Sequence, residues 1–146
     1  MKISGTQILD LTPEEAYRRM QDPKVLAACM PGCESLEETG PDEYRMKMKM
    51  AMASLSGAFD GRVRIADRNP PTGFKLIVEG SGKLGFMKGE GTVHFAPALP
   101  GSNVSYAGDV QVGGTMAAVG QRLIDATAKM MIKKFFEKLA SVPPSS

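Results

Sequence analysis

The sequence predicts an α+β domain in which one curved antiparallel sheet of about six or seven strands is covered by a long C-terminal helix, with two short helices near the N-terminus. Three observations predict it. From Glu43 to Val112 apolar and polar residues alternate in short runs separated by turn signals, the pattern of an antiparallel meander with one wet face. Before that region stand two helix starts, Thr12-Pro13-Glu14-Glu15 and Asp22-Pro23. After it runs a proline-free stretch from Gly114 to Ala140, closed by Pro143-Pro144, which as one helix would be about 40 Å long. A strongly curved sheet gripping such a helix is expected to leave a cavity between the two layers.

Taken in order, residues 2–10 alternate weakly and suit an opening strand. Thr12 is placed to cap a helix over 13–20, with Pro13 in its first turn and two acids at the positive end of its dipole. Asp22-Pro23 ends that helix and begins a second, through Val25, Leu26 and Ala28, which Met30-Pro31-Gly32 breaks. Cys33 to Glu38 reads as a strand ending at the turn Gly40-Pro41-Asp42. In the next strand Tyr44, Met46, Met48, Met50 and Met52 share one side, and Arg45, Lys47 and Lys49 the other. Phe59, Val63 and Ile65, then Phe74, Leu76 and Val78, give the inward faces of two more strands around the loop Asn69–Gly73. The glycines from Gly80 to Gly91 suggest bends or bulges in a curved sheet. Val93 and Phe95, then Val104, Tyr106, Val110 and Val112, complete the alternation. On the final helix Met116, Val119, Leu123, Ala126, Thr127, Met130 and Met131 share one face, and the last turns change phase to Ile132, Phe135, Phe136 and Leu139.

A length of 146 residues suits one domain, expected over residues 1–142 with 143–146 as a short disordered tail. A net charge of +2 gives no reason to expect a polyanionic partner, and no aromatic residues interleave the basic ones as nucleic-acid binding would require. No run approaches the roughly 20 apolar residues of a spanning helix, and MKISGTQILD lacks the apolar core of a signal peptide, so a cytoplasmic address is expected. Cys29 and Cys33 have no further cysteine or histidine cluster to complete a metal site, and two reduced thiols at a turn are expected. His94, the single histidine, falls out of phase with Val93 and Phe95 and has no acid–base partner in the sequence. With no nucleophile motif and no paired carboxylates, the chain does not read as an enzyme.

Residues Asp22 to Glu37, DPKVLAACMPGCESLE, resemble a segment of the carbon monoxide dehydrogenase G-subunit family. Gly85-Phe86-Met87-Lys88-Gly89 is similar to that family's central Gly-Phe-x-Lys-Gly, and Asp109 to Gly114 with Gly120 to Ile124 to its last strand and helix entry. The resemblance covers nearly the whole chain. It implies a helix-grip, START-like fold and an accessory protein that serves a molybdenum hydroxylase, or its maturation factors, as carrier or membrane adaptor. It also implies a lipophilic ligand, menaquinone or another lipid, with no obligatory cofactor, and transient contact with the inner face of the membrane. A ligand-free maturation or interaction factor for the same enzymes is the alternative, and a cyclase- or dehydratase-type enzyme, as elsewhere in the superfamily, ranks third.

The predicted ligand cavity is lined from the sheet by Met46, Met48, Met50, Met52, Phe59, Val63, Phe74, Leu76, Val78, Met87 and Tyr106. From the helix it is lined by Met116, Val119, Leu123 and Met130, with Met30-Pro31-Gly32 at a mouth. Methionine fills irregular cores and also lines adaptable binding surfaces, so the row fits either use. At the end of the helix, Phe135 and Phe136 with Lys133, Lys134 and Lys138 fit either ordinary packing or a weak membrane foot. Arg45, Lys47, Lys49, Arg62 and Arg64 predict a basic outer sheet face, solvated by default or turned to an anionic surface.

Overall fold

The structure, a computed structural model, describes residues 1–50 and 56–141. Met52 and the C-terminal tail, about which the sequence raises expectations, lie outside the described residues. In chain order the elements are β1 (Lys2–Leu9), α1 (Pro13–Gln21), α2 (Pro23–Cys29), β2 (Cys33–Gly40), β3 (Glu43–Met50), β4 (Gly57–Asn69), β5 (Gly73–Gly82), β6 (Gly85–Pro97), β7 (Ser102–Gly113), α3 (Thr115–Ala118) and α4 (Gln121–Ser141).

Both predicted helix starts are made. The Thr12 side chain accepts from the Glu15 N–H at 3.2 Å, and the Asp22 side chain accepts from the Lys24 N–H at 2.9 Å. Gly32, with φ 80°, turns the chain out of α2. The strands from β2 to β7 form a continuous antiparallel meander, and β1 closes against β7, giving the order β1-β7-β6-β5-β4-β3-β2. The inward phase of each strand is the one the alternation predicts: Tyr44 stands opposite Val63, Val63 opposite Val78, and Phe95 opposite Val104.

The C-terminal stretch departs from prediction. It is not one helix from Gly114 to Ala140, because Gly114 and Gly120 take φ values of 72° and 98° and bracket the four-residue α3. Met116 and Val119 therefore do not share a helix with Leu123 and Met130. Starting afresh after Gly120, α4 is about 31 Å long. Its body turns Ile124, Thr127, Ala128 and Met131 inward and its end Phe135, Phe136 and Leu139, so the inward face shifts along the helix as the predicted change of phase requires, while Leu123 and Ala126, expected on that face, are exposed.

Arg19 ties the layers together. Its guanidinium, buried, donates to the Leu139 carbonyl at 2.9 Å, satisfying a free carbonyl near the end of α4, and to Glu15 Oε1 at 2.9 Å. Hydrogen bonding from Arg19 holds the Glu15 carboxyl below its ordinary range, against the opposing effect of burial and with help from Arg18. A depressed carboxylate stabilises the fold above its unfolded-state pKa, and that contribution fades as pH falls through the folded value. Glu15→Gln is thus expected to cost about 1–2 kcal/mol at neutral pH. Denaturant midpoints for the two proteins should converge as the pH is lowered into the acid range; a constant gap would refute the coupling.

Candidate functional site

The concave face of the sheet has two unlike ends. At one end Tyr17 of α1 meets Phe74 and Phe95 edge-on, with centroids 5.9 and 5.7 Å away, and Phe74 and Phe95 stack at 6.0 Å. Phe136 stacks on Tyr106 at 6.2 Å, and Phe135 meets Phe136 edge-on at 5.3 Å. With Leu9, Met20, Cys29, Tyr44, Ile65, Val93, Val104 and Leu139, the residues Tyr17, Phe74, Phe95, Phe135 and Phe136 make a closed core. Phe74 is therefore core and not cavity lining, because α1 packs its tyrosine against it. Val63, Leu76 and Tyr106 pack against the same core from its border.

Membrane contact through the helix end is likewise corrected. Phe135 and Phe136 are 7% and 3% exposed, since the stripe that carries them faces the sheet and the short helices. Lys133, Lys134 and Lys138 are exposed beside them, but without an apolar foot.

Among the described residues, the other end is only half filled. Met46, Met48, Met50, Phe59, Val78 and Met87 on the sheet, with Val119 and Met130 above, are half-buried and stand outside the closed core. Leu123 is 38% exposed on the flank of α4, and Met116 is buried under α3. Between the methionines the floor is glycine. Gly61 stands opposite Gly80, Gly80 opposite Met87, Gly89 opposite Val78 and Val110, and Gly91 opposite Leu76 and Gly108.

A Cβ on Gly80 would find its nearest atoms at 3.6, 3.7 and 4.0 Å, on Asp60, Met87 and Gly61. The nearest atoms at Gly61, Gly89, Gly91 and Gly108 also belong to neighbouring strands. Among the described residues, this part of the face is a strip of glycine backbone bordered by half-buried methionines, the outline of a shallow apolar trough. It is legible in the sequence after all, since Gly61, Gly80, Gly89, Gly91 and Gly108 all fall on the inward phase of their strands.

An open cleft of about 320 Å³ lies at this end of the molecule, lined by Met1, Val110, Gln111, Val112, Ala117, Gln121 and Ile124 and not by the methionines of the trough or the floor glycines. That is the small end of the usual ligand-pocket range of about 300–1,000 Å³. On the opposite flank, the Lys49 N–H donates to the Gly32 carbonyl at 2.8 Å, which ties the Met30-Pro31-Gly32 turn to β3 beside Met48 and Met50. The turn predicted as a mouth therefore adjoins the methionine end of the trough.

Outside, the basic residues do not form a single-sign face. Arg45 donates to both carboxylate oxygens of Asp60, at 3.1 and 3.3 Å, Arg62 stands opposite Glu79, and Lys75 lies 3.5 Å from Glu90. The partner acids come from neighbouring strands, which the sequence alone does not place. His94 is exposed on this outer face. Cys29 and Cys33 are free thiols, and burial pushes both pKa values up. Among the described residues, no helix is long and apolar enough to cross a membrane.

Residues 5–142 match the family model for the G subunit of carbon monoxide dehydrogenase (CoxG). A comparison with curated proteins gives no match. Among solved structures, a conserved protein from Geobacillus kaustophilus is 34% identical, with a TM-score of 0.94 over 97% of this chain and 93% of that one. A protein from Chromobacterium violaceum shares the fold at 18% identity, with a TM-score of 0.73 over 99% of each chain. One from Thermus thermophilus does so at 16% identity, with a TM-score of 0.65 over 97% of this chain and 98% of that one. The fold is the helix-grip arrangement, an antiparallel sheet closed over a C-terminal helix, and on the extent of the family match the chain belongs to the CoxG family of carbon monoxide dehydrogenase.

Proposed function

We propose that this protein binds a lipophilic small molecule, a quinone in the first instance, in the glycine-floored trough under the first half of α4. It serves a molybdenum hydroxylase such as carbon monoxide dehydrogenase as a carrier or membrane adaptor, without catalysing a reaction itself. One contrast carries the reading: the same concave face is closed by aromatic packing at one end and left with bare backbone and adaptable methionines at the other. Burying Met46, Met48, Met50, Met87 and Met130 only halfway leaves apolar area uncovered in the free protein. Covering it with a flat apolar ligand gains about 25 cal/mol per Å². The family match supports service to carbon monoxide dehydrogenase. A short membrane contact, if the carrier makes one, would be made by surfaces other than Phe135 and Phe136.

The test is direct. Organic extraction of gently purified protein, followed by mass spectrometry, is expected to recover a quinone or another lipid in near-stoichiometric amount. Met50→Leu, which roughly conserves volume, should keep both fold and ligand, while Met50→Asp places a carboxylate in the trough and should release the ligand. Native protein that retains no lipid, even after saturation with menaquinone, would leave the ligand-free maturation factor as the better reading.

A further inference from the structure

We propose that residues 114–120 are a hinged strap closing the open end of the trough, and that Met116 is its latch. This rests on the trough being a binding site, although the motion does not. The strap is bounded by two glycines in left-handed backbone, Gly114 at φ 72° and Gly120 at φ 98°. Between them lies α3, only four residues long and with no side-chain cap at its start, resting against the ends of β6 and β7. Thr115, Ala117, Ala118 and Gly120 are exposed, and Met116 alone in α3 turns in, 8% exposed. Its N–H donates to the Leu84 carbonyl in the β5–β6 turn, which holds the strap down at the same point. Ala117 lines the open cleft together with Val110 and Val112, so the strap borders that cleft.

The two hinges differ in a useful way. At Gly114 a Cβ would come within 2.8 Å of Gly85 Cα, so this hinge is packed against the β5–β6 turn. At Gly120 nothing lies within 4 Å of the Cβ position, and the backbone there is held by local bonds alone, its N–H donating to the Ala117 carbonyl at 3.4 Å and its carbonyl accepting from the Ile124 N–H at 3.2 Å. A segment packed at one end, joined to α4 by local hydrogen bonds at the other, and tied to the sheet by buried Met116, half-buried Val119 and one backbone hydrogen bond opens at far lower cost than the sheet beneath it. When it lifts, Met116 leaves the end of the trough, and an apolar molecule passes without unfolding of α4.

Three variants separate a latch from a wall. Met116→Ala removes the latch, Met116→Leu restores its volume, and Gly120→Ala penalises the closed backbone without a new contact. Hydrogen exchange by NMR needs no ligand. In the wild type, amides 115–120 are expected to exchange well before those of β6 and β7. They should speed up by about tenfold or more in Met116→Ala and Gly120→Ala, and return towards wild type in Met116→Leu, with β6 and β7 unchanged.

Stopped-flow binding of Nile red is expected to show association and dissociation accelerated together by about tenfold in the two loosened variants, with Kd of Gly120→Ala within about threefold of wild type. Strap amides that exchange only with global unfolding would overturn the proposal. So would a variant that speeds dissociation alone, since Met116 would then be an ordinary wall residue. If the exchange result holds but Nile red does not bind the wild type, the moving strap is supported and the trough reading is the one that fails.

Discussion

Gly80→Phe is expected to leave the protein folded and to weaken binding of menaquinone, or of whatever lipid the protein retains, by about a hundredfold or more. Gly80 lies on the inward phase of β5, opposite Gly61 and Met87. It is the floor position where a side chain meets only ordinary contacts, the nearest at 3.6 Å. At Gly91 a Cβ would stand 2.9 Å from the Ala107 carbonyl oxygen, and at Gly89 3.0 Å from that of Asp109, so substitutions there test the backbone and not the space. A phenylalanine at position 80 would project from the middle of the floor towards α4, where a flat ligand would lie. Replacing glycine in a strand interior also favours the sheet, so stability should be unchanged or slightly raised.

The result discriminates between the two functional readings. If the trough is in fact filled by rearranged methionines in a ligand-free factor, the new ring overpacks it, and a loss of about 1–3 kcal/mol follows. Thermal melts with binding isotherms on the same samples decide the matter. A stable variant that still binds as wild type would show that the ligand lies elsewhere.

The double variant Phe135→Ser/Phe136→Ser is expected to lose the fold outright. Truncating a buried phenylalanine costs about 3–5 kcal/mol, and two neighbours approach the entire stability of a domain this size, about 5–15 kcal/mol. These rings link the Tyr106 stack to the closed core, and Leu139, one turn on, is fully buried beside the Arg19 anchor. Lys133→Glu/Lys134→Glu should by contrast melt close to wild type, since both side chains point outward. Circular dichroism in guanidinium is the measurement. A well-folded double serine variant that had merely lost affinity for anionic liposomes would restore the membrane foot that the structure replaces with packing.

The sequence by itself determined most of the architecture. Capping residues, prolines and period-two alternation are local signals, read within a few residues, and they place α1, α2, β3 to β7 and the inward face of the sheet. Thr12 and Asp22 cap because their own side chains reach the N–H groups two or three residues on. Met46, Met48 and Met50 share a face for the same kind of reason.

Only the tertiary structure decided what that face touches. Periodicity states that Phe74, Met50 and Phe136 point inward, but not that Tyr17 fills the space beside Phe74 while Met50 is only half-buried among the described residues. Nor does it say that Asp60 neutralises Arg45 across two strands. A helical wheel puts Met116 and Val119 on one helix with Leu123 and Met130 because it assumes unbroken rotation, and glycine is tolerated in a helix often enough that the left-handed turn at Gly120 is not visible without the fold. Local rules set direction. Which end of the sheet closes and which stays open depends on contacts between residues far apart in the chain, such as Arg19 with Leu139, and these exist only once the layers have met.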